Sequence, residues 1–95
     1  MPLFIVQWKD KPGAAEARAG AREAHLAYVR NGPTKVVLAG PFMNAEGGMI
    51  GSMLIVEADS LEAAKAFNTG DPYKAAGVFE TASVDPFKVS VGAIA

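Results

Sequence analysis

Cysteine is absent from the 95-residue chain, histidine and tryptophan each occur once, and neither sign of charge prevails: nine Lys plus Arg stand against ten Asp plus Glu. Without cysteine there is no disulfide scaffold, no thiol nucleophile and no thiolate ligation of zinc or iron–sulfur clusters. With one histidine, a multi-histidine metal site cannot form within one subunit, and no metal or cofactor is expected. A net charge of −1 lacks the basic surface that a nucleic-acid partner requires. The longest mostly apolar stretch, Met49 to Val56, is far shorter than the ~18–20 residues of a membrane helix, so no membrane partner is expected. The opening Met1-Pro2-Leu3-Phe4-Ile5-Val6-Gln7-Trp8-Lys9-Asp10 has no basic n-region and turns polar after eight residues, unlike a signal peptide. The default expectation for location is therefore cytoplasmic. What is there is globular: 51% hydrophobic and 20% charged residues, read as one domain over residues 1–95.

Leu3 to Trp8 is a short β-branched and aromatic run stopped by Asp10-Lys11-Pro12-Gly13, which reads as a strand. Ala14 to Asn31 is rich in Ala, Glu and Arg, a helix that Asn31-Gly32-Pro33 ends with glycine at a left-handed cap. Val36 to Ala39 is a second strand leading into Gly40-Pro41. Glu46-Gly47-Gly48 makes a hairpin to a third strand from Met49 or Ile50 to Ala58. Asp59-Ser60-Leu61-Glu62 starts a second helix, with Asp59 as cap, that ends near Thr69-Gly70. Asp71-Pro72-Tyr73 opens a short helical segment, and Val78 to Val84 is the last strand, with Phe87 to Val91 extending or trailing it. The order βαββαβ predicts an α+β ferredoxin-like sandwich, a four-stranded antiparallel sheet with both helices on one face.

In Leu3-Phe4-Ile5-Val6 and in Met49 to Val56, both alternating sets of side chains are largely apolar. A half-exposed antiparallel strand alternates apolar with polar, so both faces of this sheet must be covered. Two short helices cover only one. A second copy is the simplest cover for the other, giving a homodimer paired through the sheet face.

On a projection of the first helix at about 100° per residue, Ala21, Leu26, Tyr28 and Val29 share an arc with His25, Arg18 and Arg22, opposite Glu16, Glu23 and Arg30. Two readings fit. One is a core-edge histidine bonded to a carbonyl, with arginine stems lying over apolar surface. The other is a pocket between helix and sheet where an imidazole moves protons near neutral pH and an arginine holds an anion. Arg22, three residues before His25, is the favoured anion clamp. Asp71, a natural N-cap before Pro72, is the carboxylate placed to face the imidazole; capping alone would also explain it. Ser52 shares parity with Leu54 and Val56, so it is buried and needs a hydrogen-bond partner. Gly40 and Gly51 fit either turns or strand positions where another backbone comes close.

Arg22-Glu23-Ala24-His25-Leu26, Ala39-Gly40-Pro41, Gly51-Ser52, Asp71-Pro72-Tyr73-Lys74 and Val84-Asp85-Pro86-Phe87, taken in order, resemble the YciI-like (YCII-related) family. The resemblance implies a dimeric α+β barrel of two ferredoxin-like units and an active site around a His–Asp pair, here His25 and Asp71. Arg22, Ser52, Gly40 and Tyr73 would surround the substrate. The implied activity is cofactor-independent acid–base chemistry, either isomerisation or elimination such as dehydrochlorination, on a small anionic or phenolic molecule. A non-catalytic ligand-binding or accessory dimer using the same pocket is the alternative.

Overall fold

The computed structural model describes residues 2–93. Its elements are β1 (Leu3–Asp10), α1 (Ala15–Asn31), β2 (Lys35–Met43), β3 (Met49–Glu57), α2 (Leu61–Thr69), α3 (Pro72–Ala75) and β4 (Phe79–Phe87). The strands form one antiparallel sheet in the order β2-β3-β1-β4. The two strand–helix–strand crossovers each skip one strand and lay their helices on the same face. The expected ferredoxin-like α+β fold is the observed one. Among the described residues, no helix is long and apolar enough to cross a membrane.

Period-two alternation sets what each face sees. Phe4, Val6 and Trp8 of β1 are buried beneath the helices, opposite Val56, Leu54 and Ser52 of β3. Ala64 and Phe67 of α2, with Val78 and Phe79, complete that core. Each fully buried Val or Leu contributes about 1.5–3 kcal/mol of transfer free energy. The other face carries Leu3 and Ile5, Ile55 and Met53, Leu38 and Phe42, and Phe87, by strand register. On it Leu38 is 49% and Phe42 42% exposed, Leu3, Ile5 and Met53 are half-buried and Ile55 is buried, so the second apolar face read from the strands is present, with its β2 edge open to solvent in the single chain.

The turns follow local chemistry. Lys11-Pro12-Gly13-Ala14 closes with Ala14 N–H donating to Lys11 O at 3.1 Å and Gly13 at φ 76°, as a type II turn with Pro then Gly requires. In the β2–β3 hairpin, Asn44 Oδ1 accepts from Glu46 N (3.0 Å) and Gly48 N (2.8 Å). Two caps differ from expectation. Ser60, not Asp59, caps α2 by accepting from Ala63 N at 3.1 Å; its hydroxyl sits one residue closer to the first open amides. Gly32 ends α1 at φ −75°, extended and not left-handed. Glycine is needed there because a Cβ would lie 2.2 Å from Tyr28 O. β2 runs further than read, from Lys35 to Met43, whereas β4 begins at Phe79 and carries past Val84 only to Phe87, with residues 88–91 trailing outside the strand.

Tyr28 ties α1 to α2: its hydroxyl donates to Phe67 O at 2.9 Å, and its ring stacks on Phe67 at 5.1 Å. Burial first, and then the nearby Asp71 charge, hold the Tyr28 phenol above its ordinary pKa of 10.0. A raised native value means the unfolded chain ionises first. Stability is therefore intact below pH ~10, falls as pH rises above it, and levels off beyond the native value. Tyr28→Phe should cost about 1 kcal/mol near neutrality through the lost hydrogen bond. In urea denaturation the gap between wild type and Tyr28→Phe should then narrow between pH 8 and pH 11; a gap constant with pH would contradict this account.

Candidate functional site

Two side chains on α1, seven residues apart, reach toward the sheet and α3. Seven residues is two turns less roughly 20°, so Arg18 and His25 lie nearly in line on the helix, whereas Arg22 lies roughly 60° away from His25. Each meets a buried carboxylate. His25 Nδ1 lies 2.8 Å from Asp71 Oδ1 and 2.9 Å from Oδ2. Asp71 is 1% exposed, and the same Oδ1 accepts from Tyr73 N at 2.9 Å as the N-cap of α3. Capping and imidazole contact are thus shared by one carboxylate. The imidazole stacks on the Tyr73 ring (3.9 Å between centroids, 7° between planes) and meets Trp8 edge-on at 6.0 Å.

Arg18 is 7% exposed. Its Nε donates to Asp10 Oδ2 at 2.9 Å and its Nη2 to Asp10 Oδ1 at 3.0 Å, a two-pronged guanidinium–carboxylate pair. Trp8 Nε1 donates to the same Asp10 at 3.1 Å. Arg18 Nη2 also reaches Gly51 O and Ser52 Oγ, each at 3.1 Å, which supplies the partner that buried Ser52 needs. Gly51 lies in close approach, since a Cβ there would stand 2.4 Å from Trp8 O. Gly40 does not: a Cβ there would meet nothing within 4 Å.

Between α1 and the β2–β3 half of the sheet lies a cavity of about 410 Å³, within the roughly 300–1,000 Å³ usual for small-molecule sites. Its walls are mostly apolar, among them Ala15, Ala19, Leu26 and Leu54, and Arg18, Arg22, His25, Ser52 and Tyr73 interrupt them. With Nδ1 facing Asp71, the neutral imidazole carries its proton on Nδ1, and Nε2 is the basic nitrogen. Among the described residues, no three of His, Asp and Glu gather as a metal-ligand set.

The chain matches the YCII-related domain over residues 2–88. It is 39% identical to the protein YciI of Escherichia coli O6:H1 over 94 residues, covering 90% of this chain and 96% of that one. The chain belongs to the YCII-related family. An uncharacterized Haemophilus influenzae protein is 33% identical over 93 residues, covering 90% of this chain and 95% of its own. Among solved structures, 5-chloro-2-hydroxyhydroquinone dehydrochlorinase (TftG) from Burkholderia phenoliruptrix AC1100, in complex with 2,5-dihydroxybenzoquinone, superposes with a TM-score of 0.85 at 35% identity. That match covers 93% of this chain and 95% of the other.

In this YCII-related chain, His25, Arg22, Ser52, Gly40 and Tyr73 all line the cavity, and Asp71 stands behind His25. Arg22 is exposed; the buried guanidinium is Arg18. The helical angle was the signal that separates the two. Asp10 and Trp8 were not singled out, although their two-residue spacing on β1 puts both on the helix-covered face. A measurable consequence is the tautomer. The ¹⁵N shifts of the single imidazole, recorded above its titration, should show the proton on Nδ1. Asp71→Asn should produce a mixture of tautomers; an Nε2–H ring in the wild type would refute the geometry.

Proposed function

We propose that this chain is a small, cytoplasmic, cofactor-independent acid–base enzyme. In this reading His25 is general base or acid, and Asp71 orients the ring and stabilises its protonated form. The observation that carries the proposal is the pinning of Nδ1 by a fully buried carboxylate while the histidine lines a ligand-sized cavity. A carboxylate behind an imidazole fixes which nitrogen is basic and offsets the charge that proton uptake creates. The substrate class is a small phenolic or anionic molecule, which the likeness to TftG supports. In an elimination, Nε2 takes a proton from the substrate, the freed electron pair becomes a new π bond, and the leaving group, such as chloride, departs with its own pair. In an isomerisation, the same nitrogen returns the proton at a second carbon.

5-Chloro-2-hydroxyhydroquinone is the first compound to try, followed by substituted catechols and lactone acids. In deuterated buffer, turnover should appear as chloride release or as exchange of substrate protons by NMR. His25→Ala should reduce the rate about 10²–10⁴-fold, the usual contribution of a positioned acid–base group, and Asp71→Asn should reduce it less. Saturable binding without exchange or release across the series would favour the non-catalytic binding module.

The proposal includes a homodimer through the outer sheet face, supported by the exposure of Leu38, Phe42 and Phe87 on it. Exposed apolar side chains gathered on one face in this way are typical of protein–protein contact sites. Sedimentation at micromolar concentration should give twice the 9.9 kDa chain mass, and Phe42→Asp should shift the equilibrium to monomer. A wild-type monomer would overturn this pairing.

A further inference from the structure

The buried arginine is the least explained expense in the cavity wall. Burying a guanidinium is costly even when paired, and replacing a buried ion pair with well-packed apolar residues is often neutral or stabilising. Yet Arg18 is buried, doubly bonded to Asp10, and bonded again to Gly51 O and Ser52 Oγ. These contacts use Nε and Nη2. Among the described residues, the partner of Nη1 is Met49 Sδ at 4.0 Å, a thioether, which is a weak acceptor. Among the described residues, the two N–H groups of Nη1 therefore have no oxygen to receive them, on a side chain that lines the cavity. Ser52 adds a third: its Oγ accepts from Arg18 Nη2, so its O–H is left to donate, and it too lines the cavity.

We propose that Arg18 Nη1 and the Ser52 hydroxyl form the binding site for an anionic oxygen of the substrate, a phenolate, enolate or carboxylate. Resting on the acid–base reading above, the assignment deepens it: the substrate presents its oxyanion to Arg18 and its exchangeable proton to His25. Tyr73 relates the two ends, with His25 stacked on its ring and the Arg18 guanidinium carbon 5.1 Å from the ring centroid. Asp10 is a positioning residue. It fixes the guanidinium plane by two parallel bonds and neutralises its charge when the site is empty, so recognition depends on directed N–H donors more than on net charge. Arg22, exposed at the same cavity, attracts anions at longer range, an effect that salt screens.

The test uses two coloured probes of nearly the same shape, 4-nitrophenol at a pH where it is ionised and its methyl ether 4-nitroanisole. Binding is followed by absorbance and by the fluorescence of the only tryptophan, Trp8, which touches His25. Wild type should prefer the phenolate about tenfold or more, the worth of a hydrogen bond to a charged group. Arg18→Lys, which keeps the charge but loses the fork, should reduce that ratio severalfold, and Ser52→Ala should do so as well. Arg18→Met alone would strand the Asp10 charge, so it is combined with Asp10→Asn; in this pair the ratio should fall to about one while 4-nitroanisole still binds. Arg22→Met should change the ratio less than threefold. A wild type without preference for the phenolate, or a ratio governed by Arg22 and untouched at Arg18, overturns the assignment. Failure of the acid–base reading is seen separately, as absent proton exchange with the phenolate preference intact.

Discussion

A carboxylate at 1% exposure must have its oxygens satisfied from within the protein, and Asp71 is satisfied by two donors that come from different elements. One is the backbone amide of Tyr73, which makes Asp71 the start of α3; the other is the imidazole of α1. Removing either leaves a buried charge with half its partners, a defect that costs several kcal/mol. The contact therefore fixes where α1 passes α3, and it fixes the rotation of α1 about its axis. Once that rotation is set, the positions two turns back along the helix are set too, and Arg18 arrives at Asp10 at the end of β1. The cavity wall is a consequence of those two anchors.

The same reasoning explains why one half of the helix-covered face is filled and the other is open. Beneath α2 and α3 the core is filled by Phe67, Val78, Phe79 and Tyr73, with Tyr73 and Phe79 packed against Trp8. Beneath the first half of α1 the helix offers Ala15 and Ala19, and β2 answers with Ala39, Gly40 and Pro41. Small residues on both sides, with the helix held by its contacts to Asp10 and Asp71, leave space that no side chain among the described residues fills. Elsewhere in a protein interior such a void would forfeit dispersion contacts and stability. Here Arg18, His25, Ser52 and Tyr73 stand on its wall.

Much of the fold was legible because periodicity reports it directly: β-branched runs between Gly–Pro turns, one long Ala-rich helix, and a helix start at Asp59-Ser60. What periodicity cannot report is which of two adjacent polar residues makes a bond. Asp59 and Ser60 are equally good caps by type, and only the backbone geometry of Ser60 brings its oxygen to Ala63 N. Gly32 was read by its conformational freedom, whereas its role is steric, a distance to Tyr28 O that no local pattern encodes. The meeting of His25 with Asp71 was inferable from the shared sheet face of both helices. The partnership of Arg18 with Asp10 is not legible from proximity along the chain, which points to Arg22 beside His25; only the angle around the helix separates the two arginines.

The two faces of the sheet divide the work in a way that constrains how the chain can change. Strand parity ties each residue to one face, so Ser52 and Leu54 belong to the cavity while Met53 and Ile55, their immediate neighbours, belong to the outer apolar surface. A one-residue slip of β3 would exchange the two sets and take Ser52 away from Arg18. Gly51 guards against that slip, since Trp8 O leaves no space there for any side chain, and the Arg18 bonds to Gly51 O and Ser52 Oγ hold both sides of the same peptide. The register that gathers the apolar side chains on the outer face and the register that builds the site are therefore one register, held at the point where β1, β3 and α1 meet.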